Sequence, residues 1–168
     1  SEQILKVPSD NITTEMLEKY KDSKWIFGNI ANLGNNIIDA VSSFEGLEYH
    51  FIEFDYKFCE YRNPALYEFL EDEKCNYMET EKAKVIDKFA KNSRKTFFMS
   101  DGQRNIYNDC LGGYSDENKN IVLSSLFDES FFDTVKKLRN SEEYKNKKGW
   151  IVLGSRSWVK GAADSEKW

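Results

Sequence analysis

Short apolar runs punctuate the chain: Trp25-Ile26-Phe27, Tyr49-His50-Phe51-Ile52-Glu53-Phe54, Thr96-Phe97-Phe98-Met99, Ile121-Val122-Leu123 and Trp150-Ile151-Val152-Leu153. All but the second are apolar without alternation, which predicts strands buried on both faces of a parallel sheet. The second run is interrupted by His50 and Glu53 and is expected nearer an edge. Segments of helical period lie between the runs. Leu33, Ile37, Val41 and Phe44 form one stripe; Ala83, Ile86 and Ala90, with Phe89 beside them, form another. Ile106, Tyr107, Cys110 and Leu111 form a third, and Phe131, Phe132, Val135 and Leu138 a fourth. The fourth stripe begins with Asp128-Glu129 and ends near Lys136, Lys137 and Arg139, the order that suits a helix dipole. Met16, Leu17 and Tyr20 predict a short leading helix with Thr13 or Thr14 as its N-cap.

Strands alternating with helices predict an α/β fold: a Rossmann-like, mainly parallel sheet of about five strands with helices on both faces. The stretch from Lys57 to Thr80 is polar, aromatic and without clear period. It is expected to be a long irregular loop and the most mobile part of the chain apart from its termini.

Composition narrows the function classes. The 168 residues are 40% hydrophobic and 15% aromatic, enough for a core. The formal net charge of −5 comes with no basic stripe, which argues against nucleic acid as a partner. No apolar run approaches the ~20 residues of a membrane span. The Ser1-Glu2-Gln3-Ile4 start lacks the features of a secretory signal, and Cys59, Cys75 and Cys110 are too few for a disulfide framework. A reducing, cytoplasmic setting with metal-free thiols is the expectation.

In open α/β sheets ligands bind at the carboxyl ends of the strands. The ends predicted here carry Gly28 and Asn29, Asp55, Ser100 and Asp101, and Ser124 and Ser125. Singly, each residue suits a strand–helix turn; together they outline a polar rim. Several sharper motifs are absent. No G-x-G-x-x-G follows a strand, and no phosphate loop ends in Gly-Lys-Ser/Thr. His50 is the only histidine and lies within a run, so a Ser-His-Asp relay is not expected. Asp55 ends a strand as a phosphoryl-accepting aspartate does, but the first strand ends in Gly28-Asn29-Ile30 rather than the acidic pair such a site needs for magnesium. The segment Trp150 to Gly161 runs from an apolar strand into a loop of Gly154, Ser155, Arg156, Lys160 and Gly161. Its hydroxyls, backbone N–H groups and cations suit a phosphate.

The stretches Phe97-Phe98-Met99-Ser100-Asp101-Gly102-Gln103, Val122-Leu123-Ser124-Ser125-Leu126-Phe127 and Trp150 to Gly161 resemble glycosyltransferases of the two-Rossmann-domain type, GT-B, and among them the enzymes related to glycosyltransferase family four. The resemblance spans roughly residues 20–161. It implies that residues 1–145 form the acceptor-side domain and that residues 146–168 are a linker and the start of a donor domain. It implies a nucleotide-sugar donor, a glycan or other acceptor and no cofactor. Gly154, Lys160 and Gly161 then match the family's diphosphate loop; Ser155 stands where an Arg is common, and Arg156 follows one residue later. The family's paired donor-domain glutamates have no counterpart here, so no catalytic residue is carried over, and weak or no activity is expected of these residues alone. The alternative is a stand-alone Rossmann-like binding module without transferase activity.

Overall fold

A computed structural model of the chain describes residues 4–28, 30–74, 76–123 and 128–146. The chain divides into two units, Ser1–Ser125 and Leu126–Trp168. In the first, α1 (Thr14–Lys19) precedes β1 (Trp25–Phe27), α2 (Asn35–Ser43) and β2 (Tyr49–Glu53). Then come α3 (Pro64–Glu71), a short 3₁₀ turn (Tyr77–Glu79), α4 (Glu81–Asn92), β3 (Lys95–Phe98), α5 (Asp101–Leu111) and β4 (Asn120–Val122). The second unit contributes α6 (Glu129–Arg139) and α7 (Glu142–Lys145). Among the described residues no helix is long and apolar enough to cross a membrane.

Local chemistry starts most of these helices where the sequence places them. Thr13, Thr80 and Ser100 accept hydrogen bonds from the backbone N–H of Met16, Ala83 and Gln103, capping α1, α4 and α5. Asp128 caps α6 in the same way through Phe131 N. Within its own unit α6 shows exposed Phe131, Phe132, Val135 and Leu138.

The sheet is parallel throughout, in the order β1-β2-β3-β4. The α/β, Rossmann-like reading of the sequence therefore stands, with four strands described; the run Trp150 to Leu153 lies outside the described residues. Two details differ from expectation. β2 is an interior strand rather than one near an edge, and Glu53 at its end is fully buried. The strands also alternate in burial instead of being covered on both sides.

Register explains the alternation. Phe27 pairs with Phe51, Phe51 with Thr96 and Thr96 with Asn120; Glu53 pairs with Phe98. In-register partners point the same way, so these residues share one face. That face carries the core. The ring of Phe89 in α4 packs edge-on against Phe27 and Phe51 and lies 4.9 Å from Tyr49, whose hydroxyl donates to Phe89 O at 2.6 Å. Tyr107 of α5 packs on Phe98. Ser42 O of α2 accepts from Asn92 Nδ2 of α4 at 2.8 Å, locking those two helices side by side.

The other face carries Ile26, His50, Ile52, Lys95, Phe97 and Ile121. Ile26 is 67% exposed and the rest are half-buried. Sequential strand order is the cause: right-handed crossovers that all step in one direction lay their helices on one side. The two-sided cover expected from the sequence is the part the described residues of this unit do not supply.

The stretch expected to be an irregular loop also differs. It holds α3, and Lys57, Phe58, Cys59 and Tyr77 are buried within it. Asn63 caps α3 by accepting from Leu66 N at 3.2 Å, and Pro64 occupies its first turn, where a missing N–H is harmless.

Candidate functional site

The carboxyl ends of β2 and β3 gather a network of polar groups around one buried carboxylate. Glu53 closes β2 on the core face, where nothing but protein surrounds it. Its Oε2 accepts a hydrogen bond from the Tyr107 hydroxyl of α5. Its Oε1 accepts from Asp55 N at 3.0 Å and lies 3.4 Å from Lys57 Nζ. Lys57, itself buried, reaches Asp55 Oδ1 at 2.6 Å. Arg62 Nη1 stands 3.4 Å from Asp55 Oδ2. The Asp55 carbonyl accepts from Gln103 Nε2 at 2.8 Å, while Gln103 Oε1 accepts from Met99 N at 2.7 Å.

Asp55 is thus held at every polar atom. Its N–H is fixed by Glu53, its carbonyl by Gln103 and its carboxylate by two cations. The fully buried carboxylate is Glu53, and its ionisation depends on such partners because desolvation opposes the charge. Burial pushes the Glu53 carboxyl up to about 7; the Lys57 charge and the Tyr107 hydrogen bond pull the other way without cancelling it. Burial, and then the Glu53 charge, hold the Tyr107 hydroxyl well above its ordinary range.

At β3 the turn is built by α5. Ser100 Oγ accepts from Gln103 N at 3.1 Å, and Asp101 is exposed at the first helical position, paired with Arg104 Nη2 at 3.0 Å. Gln103 therefore ties the β2 end to the β3 end. Gly28, after β1, is half-buried, and a methyl group there would meet the Phe54 ring at 3.8 Å, so β1 abuts the same edge. Of the rim residues named from sequence, the structure brings Asp55, Ser100 and Asp101 to one edge, with Gly28 alongside. Asn29, Ser124 and Ser125 lie outside the described residues, as do Gly154, Ser155, Arg156, Lys160 and Gly161.

Sequence reasoning missed Glu53, Lys57, Arg62, Gln103 and Tyr107. The available signals were slight: a Lys four residues after an acid ending an apolar run, and a Tyr on the buried stripe of α5. His50, for which no catalytic relay was expected, lies on the second face, away from the Glu53 side of the sheet. Among the described residues no cluster of His, Cys, Asp or Glu is suited to hold a metal ion, and neither Cys59 nor Cys110 is in a disulfide.

Fold and site together define a Rossmann-like α/β protein with a rigidly held acidic and cationic pair at its carboxyl edge. Comparison with protein-family models, with curated proteins and with solved structures finds no match.

Proposed function

We propose that this chain is the acceptor-side portion of a glycosyltransferase, with a hydroxyl-rich acceptor seated over the carboxyl ends of β2 and β3. The observation that supports the reading most is the fixation of Asp55, one-third exposed, between Lys57 and Arg62. A polyhydroxylated ligand is bound by acceptor oxygens and donors already locked in place, because each immobilised side chain otherwise subtracts from affinity. Phe54 and Tyr61 are exposed next to this pair in the chain and offer ring faces for the apolar side of a sugar. In the whole enzyme, the nucleotide-sugar would approach from the donor side, with cations and N–H groups stabilising the departing diphosphate.

One feature favours a second reading, a binding module without transferase activity. Every group of the Asp55 network comes from residues 53–107 of the first unit, so the site needs no second domain to be assembled. The test is an NMR titration of the 168-residue chain with a panel of mono- and oligosaccharides and nucleotide-sugars. The acceptor reading expects a glycan to perturb the amides of 54–62 and 100–104, and Asp55→Ala to abolish the effect. Nucleotide-sugar binding tighter than ~10 μM, about −7 kcal/mol, with no glycan effect at those amides would overturn it. Transfer to the bound glycan, in a chain extended by whatever coding sequence follows, separates the enzyme from the module.

A further inference from the structure

The geometry points to Arg62 as an oxyanion-reading residue, so that the ligand of the Asp55 site carries a carboxylate or phosphate group beside its hydroxyls. This rests on the acceptor-site reading above and names the chemical class of the acceptor.

The Asp55 carboxylate already has a close partner. Lys57 Nζ lies 2.6 Å from Oδ1, whereas Arg62 approaches Oδ2 only through Nη1 at 3.4 Å. A guanidinium offers five N–H donors in a planar fork made for paired oxygens, and a single long contact leaves most of that capacity unused. Arg62 is half-exposed and so can turn to a ligand, while Lys57 is buried and cannot.

The backbone holds Arg62 in this posture. It ends the turn in which Cys59 N donates to Tyr56 O at 2.9 Å and Arg62 N to Cys59 O at 3.0 Å, and its φ is +53°. A long, β-carbon-bearing residue in the left-handed region is uncommon, and such outliers gather at ligand sites. α3 begins two residues later and has no acid in its first turn, so its positive end adds to the Arg62 field.

Charge counting gives the same sign. Lys57 and Arg62 face Asp55 and Glu53. Tyr107, the other titratable group on Glu53, is neutral. With Glu53 ionised the four charges cancel; with Glu53 protonated, a state that burial favours up to about pH 7, one positive charge remains. Neighbouring exposed acids have their own donors. Glu60 lies 3.6 Å from Lys82, Glu71 accepts from the neutral Tyr61 hydroxyl, and Asp101 shares Arg104 with Glu117, each at 3.0 Å.

The test is a set of titrations of the 168-residue chain, by calorimetry and by NMR of the Arg62 Nε–H, with glucose, glucuronate, glucose 6-phosphate and inorganic phosphate. At 50 mM salt a charged sugar is expected to bind at least tenfold more tightly than glucose. Arg62→Gln should reduce that ratio below threefold, and Arg62→Lys, which keeps the charge but not the fork, should leave an intermediate value. Glucuronate against glucose 6-phosphate tells a carboxylate from a phosphate reader. Equal binding of charged and neutral sugars would overturn the inference and leave the acceptor reading standing. Phosphate binding lost in Arg62→Gln, with no sugar bound, would do the reverse. If neither phosphate nor a charged sugar moves the Arg62 signal, the oxyanion assignment is wrong. Amide spectra of each variant verify that it is folded.

Discussion

Replacing Glu53 by Gln should change how stability depends on pH, and the size of the change follows from the burial of this one carboxyl. An acid held at about 7 in the folded chain, against an ordinary 4.5, keeps its proton through a window in which the unfolded chain has lost it. The folded state then binds more protons than the unfolded one, so stability falls as pH rises through that window. The full effect is about 3 kcal/mol at 1.36 kcal/mol per pH unit, of which about 2.5 kcal/mol falls between pH 5 and pH 8. Glutamine mimics the protonated acid and does not titrate. The difference in stability between Glu53→Gln and the parent should therefore move by about 2.5 kcal/mol in the variant's favour from pH 5 to pH 8. Any constant offset, from the Lys57 contact or the amide's orientation, cancels in that difference. Urea unfolding at several pH values reads it as a relative midpoint shift of roughly 1 M for a slope near 2 kcal/mol/M. A difference that stays flat from pH 5 to 8 would show that Glu53 is ionised throughout, and that Lys57 and Tyr107 outweigh burial.

Tyr107→Phe removes the hydroxyl that donates to Glu53 and should destabilise the fold by about 1–3 kcal/mol; carbon-detected NMR of the Glu53 carboxyl should also show its titration midpoint moving upward, since the lost hydrogen bond favoured the ionised form. Phe89→Ala empties the place where Phe27, Tyr49 and Phe51 meet and should cost about 3–5 kcal/mol in chemical unfolding; a loss below 1 kcal/mol would contradict the core described above. Asp72 ends α3 with φ +52°, where glycine is the easier residue, so Asp72→Gly should raise stability by about 0.5–1 kcal/mol, read as a higher Tm.

Strand positions were legible in the sequence because Trp25-Ile26-Phe27, Phe51, Phe97-Phe98 and Ile121-Val122 are bulky apolar residues bounded by Gly, Asp, Ser and Asn. That only one face of them is covered by the described residues of this unit was not legible. An unbroken apolar run records that both faces are apolar, but which face is covered depends on strand order, and order is a property of the crossovers. The same limit hid half of the site. Asp55, Ser100 and Asp101 follow from the rule that strand ends carry the ligand. Glu53 and Tyr107, which organise them, stand 54 residues apart and meet only through the pairing of β2 with β3. Read along the chain, Glu53 looked like the polar mark of an edge strand.

Strand order also explains why so much structure is spent on one turn. A ligand crevice arises where neighbouring crossovers leave a sheet toward opposite faces. Within β1-β2-β3-β4 they leave toward the same face, so the edge between β2 and β3 has no ready-made crevice. Any concavity there has to come from the loop after β2. Residues 54–62 are accordingly fastened by Glu53 beneath, Gln103 from α5 and Lys57 turned inward. The buried carboxylate is thus the foundation of the site rather than its reactive group. Asp55, fixed above it, and Arg62, half-exposed beside it, are the groups that would meet the ligand of the proposed function.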